Sequence, residues 1–493
     1  MNEQVNTVDL RAVALDIVTE VLENGGFLNR LLRQVLSKYA YLDRRDRAFL
    51  SRLCIGTVER KITLDACIDH ISSLPVRKMK PFIRNLLRIS AYQIYEMNGV
   101  KDYTICDEAV KIAKKRKFTQ LTGFVNGILR SLIRERDLMT EEDAVKPGDP
   151  RTASAFYRKL LPKAPDHVIY SLPEYMYDLL KSSYPDRAEG IFEAFMQHGE
   201  LPTSVHLLRT NRGIDADRIQ DLVTRGILDV HPCEKRTAAE AEMFICPRLD
   251  VLMAEPTYRD GFFMVQDISS AMVGRLLPLK AGDCVLELCA SPGGKTFHAA
   301  DRLRRLTPKD GTMEPVIACD LSLEKVEKIE ENRAFYHMDD MVTTCVWDAT
   351  RPDLLDHLGC GPFDIVIADV PCSGLGMLGN KPDIRYRLKP EDLEDLVRLQ
   401  SAILTQAASY VKPGGTLLYS TCTLNPAENV AQMQRFCERF PFAPDPSAAQ
   451  EVYEALSGCG YGGFPDSYGI TLLPGEYPGE GFYLCRLKKN RSF

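Results

Sequence analysis

The chain has 493 residues, too many for one hydrophobic core, so two to four domains are expected. Its 45% hydrophobic and 26% charged residues are ordinary globular composition, and no apolar run reaches the length of a membrane span. The start, MNEQVNTVDLRAVALDIV, lacks the basic head and small-residue cleavage site of a secretory signal, which makes a soluble cytoplasmic protein the default expectation. The net charge of -6 hides an asymmetry: residues 1–140 hold 24 Lys and Arg against 16 Asp and Glu. A basic front joined to an acidic remainder either meets a polyanion or is a solvated helical surface.

The first stretch reads as helices. Leu10, Val13, Ala14, Ile17, Val18 and Val21 recur at three- and four-residue spacing, and similar stripes follow in LLRISAYQIYEM and ILRSLIRERD. The basic segments VRKMKPFIR and KIAKKRKF fall on expected helix surfaces or ends. An all-α domain over residues 1–142 is predicted, closed by a Pro-, Gly- and acid-rich linker at 141–152. Residues 153–250 mix helical stretches such as PEYMYDLLKSSY with a strand candidate, SVHLLRTN, and are assigned to a small α+β connecting domain. From 251 to 493 short apolar runs (CVLELCA, PVIACD, FDIVIADV, GGTLLYSTC) alternate with helical stretches, the pattern of a doubly wound, Rossmann-like α/β domain with a parallel sheet.

CVLELCA, which ends in Cys289 and Ala290, runs directly into Ser291, Pro292, Gly293, Gly294, Lys295 and Thr296, followed by the helical FHAADRLRRL. A strand, a glycine turn and a helix N-terminus form a recurrent site for nucleotide-like ligands, because glycine admits close approach and the helix start offers free N–H donors. Asp320 ends the next strand, where such folds place an acid for ribose hydroxyls. The Gly-Lys-Thr is not a Walker A loop, since the position that would need its first glycine is Cys289, and a GxGxxG nicotinamide fingerprint is absent. S-adenosylmethionine, which needs ribose recognition and has no pyrophosphate, fits better. Asp348 and Asp369 stand at two further strand ends, as cofactor contacts or as helix caps.

Cys372 follows Asp369 in Asp-Val-Pro-Cys-Ser-Gly, and Cys422 follows GGTLLYS in Thr-Cys-Thr, so both thiols fall just beyond strand ends on the expected cofactor edge. Carbon 5 of cytosine attacks a methyl sulfonium poorly until a thiolate adds at carbon 6. An acid such as Asp369 can stabilise N3 as addition proceeds. Lys295 either holds charge there or caps its own loop. Chemistry alone leaves the two cysteines interchangeable.

ELCASPGGKT, ADVPCSG, KPDIRYRLKPEDL, YSTCTLNPAENV and LLPGEYPGEGFYLCRL resemble, in order, the motifs of the RNA 5-methylcytosine methyltransferases, the RsmB/NOL1/NOP2/Sun group. DRRDRAFLSRLCIGTVER, LLRISAYQIY, DEAVKIAK and GFVNGILRSLI resemble a NusB-like RNA-binding domain. Arg209-Thr210-Asn211 is similar to the family's Arg-x-Asn element, and VQDISS to its lead-in. The resemblance implies a NusB-like domain, a connecting domain and a class I methyltransferase domain, and the bacterial subgroup acting on 16S ribosomal RNA. It also implies that Cys422 is the nucleophile and Cys372 assists product release, with Asp369 and Lys295 beside them. The S-adenosylmethionine site is then Cys289 to Lys295, Asp320, Asp348 and Asp369. The implied partner is 16S rRNA or a small-subunit assembly intermediate, with no metal and no membrane, and the protein is expected to be a monomer. A tRNA cytosine methyltransferase and a catalytically silent RNA-binding or assembly factor are the alternatives. The chain departs from the family pattern at Ser291, Glu287, Gly379-Asn380-Lys381 and Glu480. A base held by two cysteines must be flipped or unpaired, with Tyr386 either stacking on RNA or packing internally.

Overall fold

The computed structural model describes residues 8–97, 99–140, 150–196, 203–209, 213–234, 237–308, 311, 313–460 and 463–491. The chain forms two compact units, one of residues 1–200 with 377–389 and one of residues 201–376 with 390–493.

The first unit is helical. Its N-terminal helices are Leu10–Asn24, Leu28–Lys38, Arg44–Glu59, Lys61–Ile71, Pro81–Glu96, Asp102–Lys115 and Thr122–Arg136. Asp9 starts the first by accepting the Ala12 N–H at 3.0 Å, and Gly25 ends it in the left-handed conformation. The expected stripe buries Ala14, Ile17, Val18 and Val21, while Leu10 and Val13 stay half-buried. Pro81–Glu96 is buried along most of its length and is held by ion pairs as well as apolar contact. Arg88 forks onto Asp65 at 2.7 and 2.8 Å, and Glu96 accepts from Arg60 at 2.8 Å and from the Tyr157 hydroxyl at 2.6 Å. That last bond ties the helix Pro150–Leu160 to the same core. Arg77, Lys78 and Lys80 are exposed, as are Lys114, Lys115, Arg116 and Lys117, so both basic segments face solvent at helix ends.

The second unit holds two sheets. The smaller is antiparallel, made of β1 (Thr203–Leu207), β2 (Asp229–Val230), β3 (Met243–Cys246) and β4 (Phe263–Val265) in the order β2-β3-β1-β4. The stretch 153–250 is therefore divided: its helices up to Ala188–Ala194 lie in the first unit, and its strands lie in the second with the helix Ala216–Thr224. Of the linker expected at 141–152, residues 141–149 lie outside the described residues.

The larger sheet contains β5 (Val285–Glu287), β6 (Val316–Asp320), β7 (Val342–Val346), β8 (Phe363–Asp369), β9 (Val411–Thr421), β10 (Phe442–Pro444), β11 (Phe464–Pro465), β12 (Ile470–Leu472) and β13 (Phe482–Lys489). Its order is β11-β12-β13-β9-β8-β5-β6-β7, with β10 also on β13. The five strands β7, β6, β5, β8 and β9 are parallel, and β13 returns antiparallel to β9. Side chains alternate between two apolar cores, as the strand period of two demands. Val285, Ile365, Ile367 and Leu418 join the core containing Phe297 and Leu303 of the helix Gly294–Leu306. Leu286, Val366, Ala368, Leu417 and Tyr419 join the core containing Ile403, Leu404 and Ala407 of the helix Pro390–Tyr410. This is the doubly wound domain that the alternating pattern predicts. The order reverses at β5 and β8, so their carboxyl ends frame the crevice where such sheets bind ligands.

Candidate active site

The loop after β5 is shaped by its own backbone. Cys289 and Ala290 both donate to the Cys319 carbonyl, at 3.0 and 2.8 Å, which draws the loop against β6. Gly293 then adopts a φ of +100°, and a Cβ there would lie 2.4 Å from the Phe297 ring. Only glycine fits, and the helix Gly294–Leu306 starts immediately after it. Asp320 closes the other side: its carboxylate accepts the Ser291 N–H at 2.9 Å and the Leu321 N–H at 2.7 Å, and Lys325 pairs with it at 3.0 Å. Asp348 lies beyond β7 and accepts from the Thr350 N–H at 2.9 Å and hydroxyl at 2.7 Å, which hold its carboxyl below the usual range. The strand leading to Asp348 begins at Val342, and Thr343 and Thr344 interrupt its apolar run.

Lys295, in the first turn of that helix, extends to the end of β8. Its Nζ lies 2.6 Å from Asp369 Oδ2, while the Ser420 hydroxyl donates to Asp369 Oδ1 at 2.6 Å. Burial alone would lower the lysine pKa, but Asp369 and Glu287 outweigh it and hold the ammonium charged. Glu287 ends β5 beneath this pair. Burial pushes its carboxyl up to about 7, against the opposing effects of Lys295 and the Thr296 hydroxyl that donates to it.

Adjacent β8 and β9 deliver the two cysteines. Cys372 Sγ and Cys422 Sγ lie 3.3 Å apart, both partly accessible. The structure thus brings Cys372, Cys422, Asp369 and Lys295 together, next to the loop Cys289–Gly294 and Asp320. Two residues escaped the sequence reading. Glu287 registers there only as a departure from a family pattern. Glu428 was passed over, yet it is fully buried and accepts hydrogen bonds from both cysteine loops. The polar cluster Thr-Leu-Asn-Pro-Ala-Glu-Asn directly after a strand was the signal available. Tyr386 belongs to the first unit, where Lys61 sits 5.0 Å over its ring, and this favours the packing role. Arg209 donates to the Ala239 carbonyl at 2.6 Å, whereas Thr210 and Asn211 lie outside the described residues.

A parallel sheet of this order, with a glycine loop and strand-end acids at its carboxyl edge, is the framework of a class I methyltransferase, to which the paired thiols are an addition. Comparison with known proteins agrees. The family "16S rRNA methyltransferase RsmB/F" matches residues 275–488 and the NusB family matches residues 9–134. A probable ribosomal RNA small subunit methyltransferase B of Bacillus subtilis (strain 168) is 30% identical, covering 97% of this chain and 98% of the relative. The ribosomal RNA small subunit methyltransferase B of Enterobacter sp. (strain 638) is 27% identical, covering 98% and 99%. Among solved structures, that of PH0851 superposes with a TM-score of 0.71 at 20% identity, covering 98% of this chain and 99% of its own. The chain belongs to the RsmB/F family of 16S rRNA methyltransferases, and it carries an N-terminal NusB-family domain. It is an S-adenosylmethionine-dependent enzyme.

Proposed function

We propose that this protein transfers a methyl group to carbon 5 of a cytosine in 16S ribosomal RNA through a covalent bond between Cys422 and carbon 6 of the base. The observation that carries this reading is the thiol pair 3.3 Å apart at the ends of adjacent parallel strands, beside the Lys295–Asp369 ion pair. S-adenosylmethionine supplies the methyl group as a sulfonium, and the loop Cys289–Lys295 with Asp320, Asp348 and Asp369 is suited to hold it. Backbone N–H groups at a helix start and carboxylates at strand ends are the donor and acceptor set its ribose and amino-acid portions require.

The Cys422 thiolate adds to carbon 6, and Asp369 supports N3 as electron density moves into the ring. Carbon 5 takes the methyl group as the methyl–sulfur bond breaks, leaving S-adenosylhomocysteine, and then loses its proton to a base. The bond between carbon 6 and sulfur breaks, which restores the ring and the thiolate. Cys372 assists that release. No metal enters this scheme. The basic helix ends of the first unit supply phosphate contacts, and free 16S RNA and a partly assembled small subunit both present unpaired cytosines. Among the described residues no helix is long and apolar enough to cross a membrane.

The test is methyl transfer from labelled S-adenosylmethionine to unmethylated 16S RNA, free and partly assembled, with the product base mapped. Transfer to one cytosine, abolished in Cys422→Ala and replaced by a trapped protein–RNA adduct in Cys372→Ala, is the expected result. Undiminished activity in Cys422→Ala would overturn the mechanism. Transfer to tRNA alone would keep the chemistry and change the substrate.

A further inference from the structure

Cys372 and Cys422 carry the same functional group at the ends of neighbouring strands, so any division of labour must come from their surroundings. Glu428 lies between their loops, with its carboxylate fully buried. Oε2 accepts the Ser373 N–H at 2.9 Å and Gln400 Nε2 at 2.9 Å. Oε1 accepts the Ser373 hydroxyl at 2.6 Å and Asn425 Nδ2 at 3.0 Å, with Thr423 Oγ1 at 3.3 Å. Ser373 follows Cys372 and Thr423 follows Cys422, so one carboxylate spans both loops. The Ser373 and Thr423 hydroxyls also meet directly at 2.6 Å, and the Tyr419 hydroxyl donates to the Glu428 carbonyl at 2.6 Å.

These donors are all neutral. They solvate the carboxylate without cancelling its charge, and a buried charge left uncancelled acts strongly on its neighbours. The opposite sign acts on the other thiol: the Lys295 ammonium interacts with Cys422 as well as with Asp369 and Glu287.

We propose that Glu428 is the positioning residue that separates the tasks of the two thiols: it locks the Cys372 loop to the Cys422 loop and sets a negative charge on the Cys372 side. Lys295 sets a positive charge on the Cys422 side. The inference deepens the two-thiol mechanism above and rests on it. Cys372 is held well above the usual thiol range, first by its hydrogen bond with Cys422, then by burial and by the charges of Cys422 and Glu428, against a Gly374 N–H that acts the other way. Nearby stand Asp369, bound to Lys295, and the Tyr419 phenol, which burial keeps neutral. Cys372 thus stays a thiol within the hydrogen-bonded pair, leaving Cys422 free to attack.

The experiment is limited alkylation of the reduced, full-length protein with iodoacetamide, with each cysteine quantified by peptide mass spectrometry. In the wild type Cys422 reacts faster than Cys372; equal or reversed rates overturn the proposal without any variant. In Glu428→Gln, which keeps the shape and removes the charge, the preference for Cys422 falls roughly tenfold, whereas Glu428→Asp retains it. An unchanged preference in folded Glu428→Gln also overturns the proposal. In parallel, kcat for methyl transfer falls in Glu428→Gln while the Kd for S-adenosylmethionine does not. Should the wild type methylate no RNA at all, the functional reading fails, and the alkylation rates still decide the role of Glu428.

Discussion

Lys295 Nζ donates to Asp369 Oδ2 at 2.6 Å, across 74 residues of sequence, and this bond joins the helix that follows the glycine loop to the strand that leads into Cys372. With Ser420 on its other oxygen, Asp369 is fixed in orientation and remains partly accessible at the crevice. Replacing it with Asn keeps the shape and removes the charge that steadies Lys295 and that, in the proposed mechanism, supports the target base. Asp369→Asn is expected to lower single-turnover methyl transfer by about 100-fold or more, the scale of a lost proton-handling group. Equilibrium binding of S-adenosylmethionine should change far less. Equal losses in both would assign Asp369 to cofactor binding alone.

The thiol pair predicts sensitivity to oxidation. At 3.3 Å the sulfurs are about 1.2 Å beyond disulfide bond length and need only a small approach to join. Treatment with diamide, which takes up the two hydrogens as the bond forms, should abolish methyl transfer, and dithiothreitol should restore it. Mass mapping should find the Cys372–Cys422 cross-link. Inactivation with both thiols still free would show that the loops hold the sulfurs apart.

Glu287 makes stability depend on pH. Burial raises its carboxyl from 4.5 in the unfolded chain to about 7 in the fold, so the folded state binds the extra proton between those values. Its contribution is fully present below 4.5 and is lost as pH rises through about 7. The difference is on the order of 3 kcal/mol. Glu287→Gln, which can still accept from Thr296, should therefore flatten the fall in stability across this window. Urea midpoints at several pH values check it, and a variant with the wild-type slope would exclude Glu287 as the source.

Much of this was legible in the sequence. Val285, Ile365 and Leu418 announced strands because short β-branched runs end in acids or cysteines. Gly293 announced the turn because only glycine takes its conformation beside Phe297. Two things were hidden. β7 was obscured by Thr343 and Thr344, polar residues that stay exposed or half-buried on this edge strand. Glu428 was hidden because its partners Ser373, Gln400 and Asn425 come from three separate segments, and a buried carboxylate gives no periodic signal. Nor could spacing show that 377–389 packs with the helical unit, since Arg385 finds its acceptor at the distant Phe195 carbonyl, 3.2 Å away.

The exposed lysines that end the helix Asp102–Lys115 predict a salt-dependent RNA contact. Lys114, Lys115 and Lys117 face solvent together. Changing all three to Ala should weaken RNA binding and reduce the slope of log affinity against log salt, by roughly 0.7–0.9 for each phosphate contact removed. Affinity for S-adenosylmethionine should stay constant. Binding titrations at several salt concentrations measure both, and an unaltered slope would move the RNA contact elsewhere.

One cluster away from the cysteines has metal-ligand chemistry and is nonetheless expected to stay empty. Ligand atoms of His206, Glu242 and His298 lie within 4.8 Å of one another, and the two imidazole centroids are 4.0 Å apart. Burial drives His206 down to about 4 and His298 well below its usual range, so both rings are neutral, as ligation would require. The surrounding charge opposes it. Arg305 donates to Glu242 at 2.6 Å, and Arg275 and Arg302 line the same cavity of about 570 Å³. A dication would have to displace one guanidinium and sit beside two others, at a Coulomb cost of several kcal/mol. Incubation with zinc followed by gel filtration should leave no stoichiometric metal by elemental analysis, and chelators should leave both Tm and methyl transfer unchanged. A zinc-dependent rise in Tm that His298→Ala removes would show instead that the two histidines and Glu242 release Arg305 and take the ion.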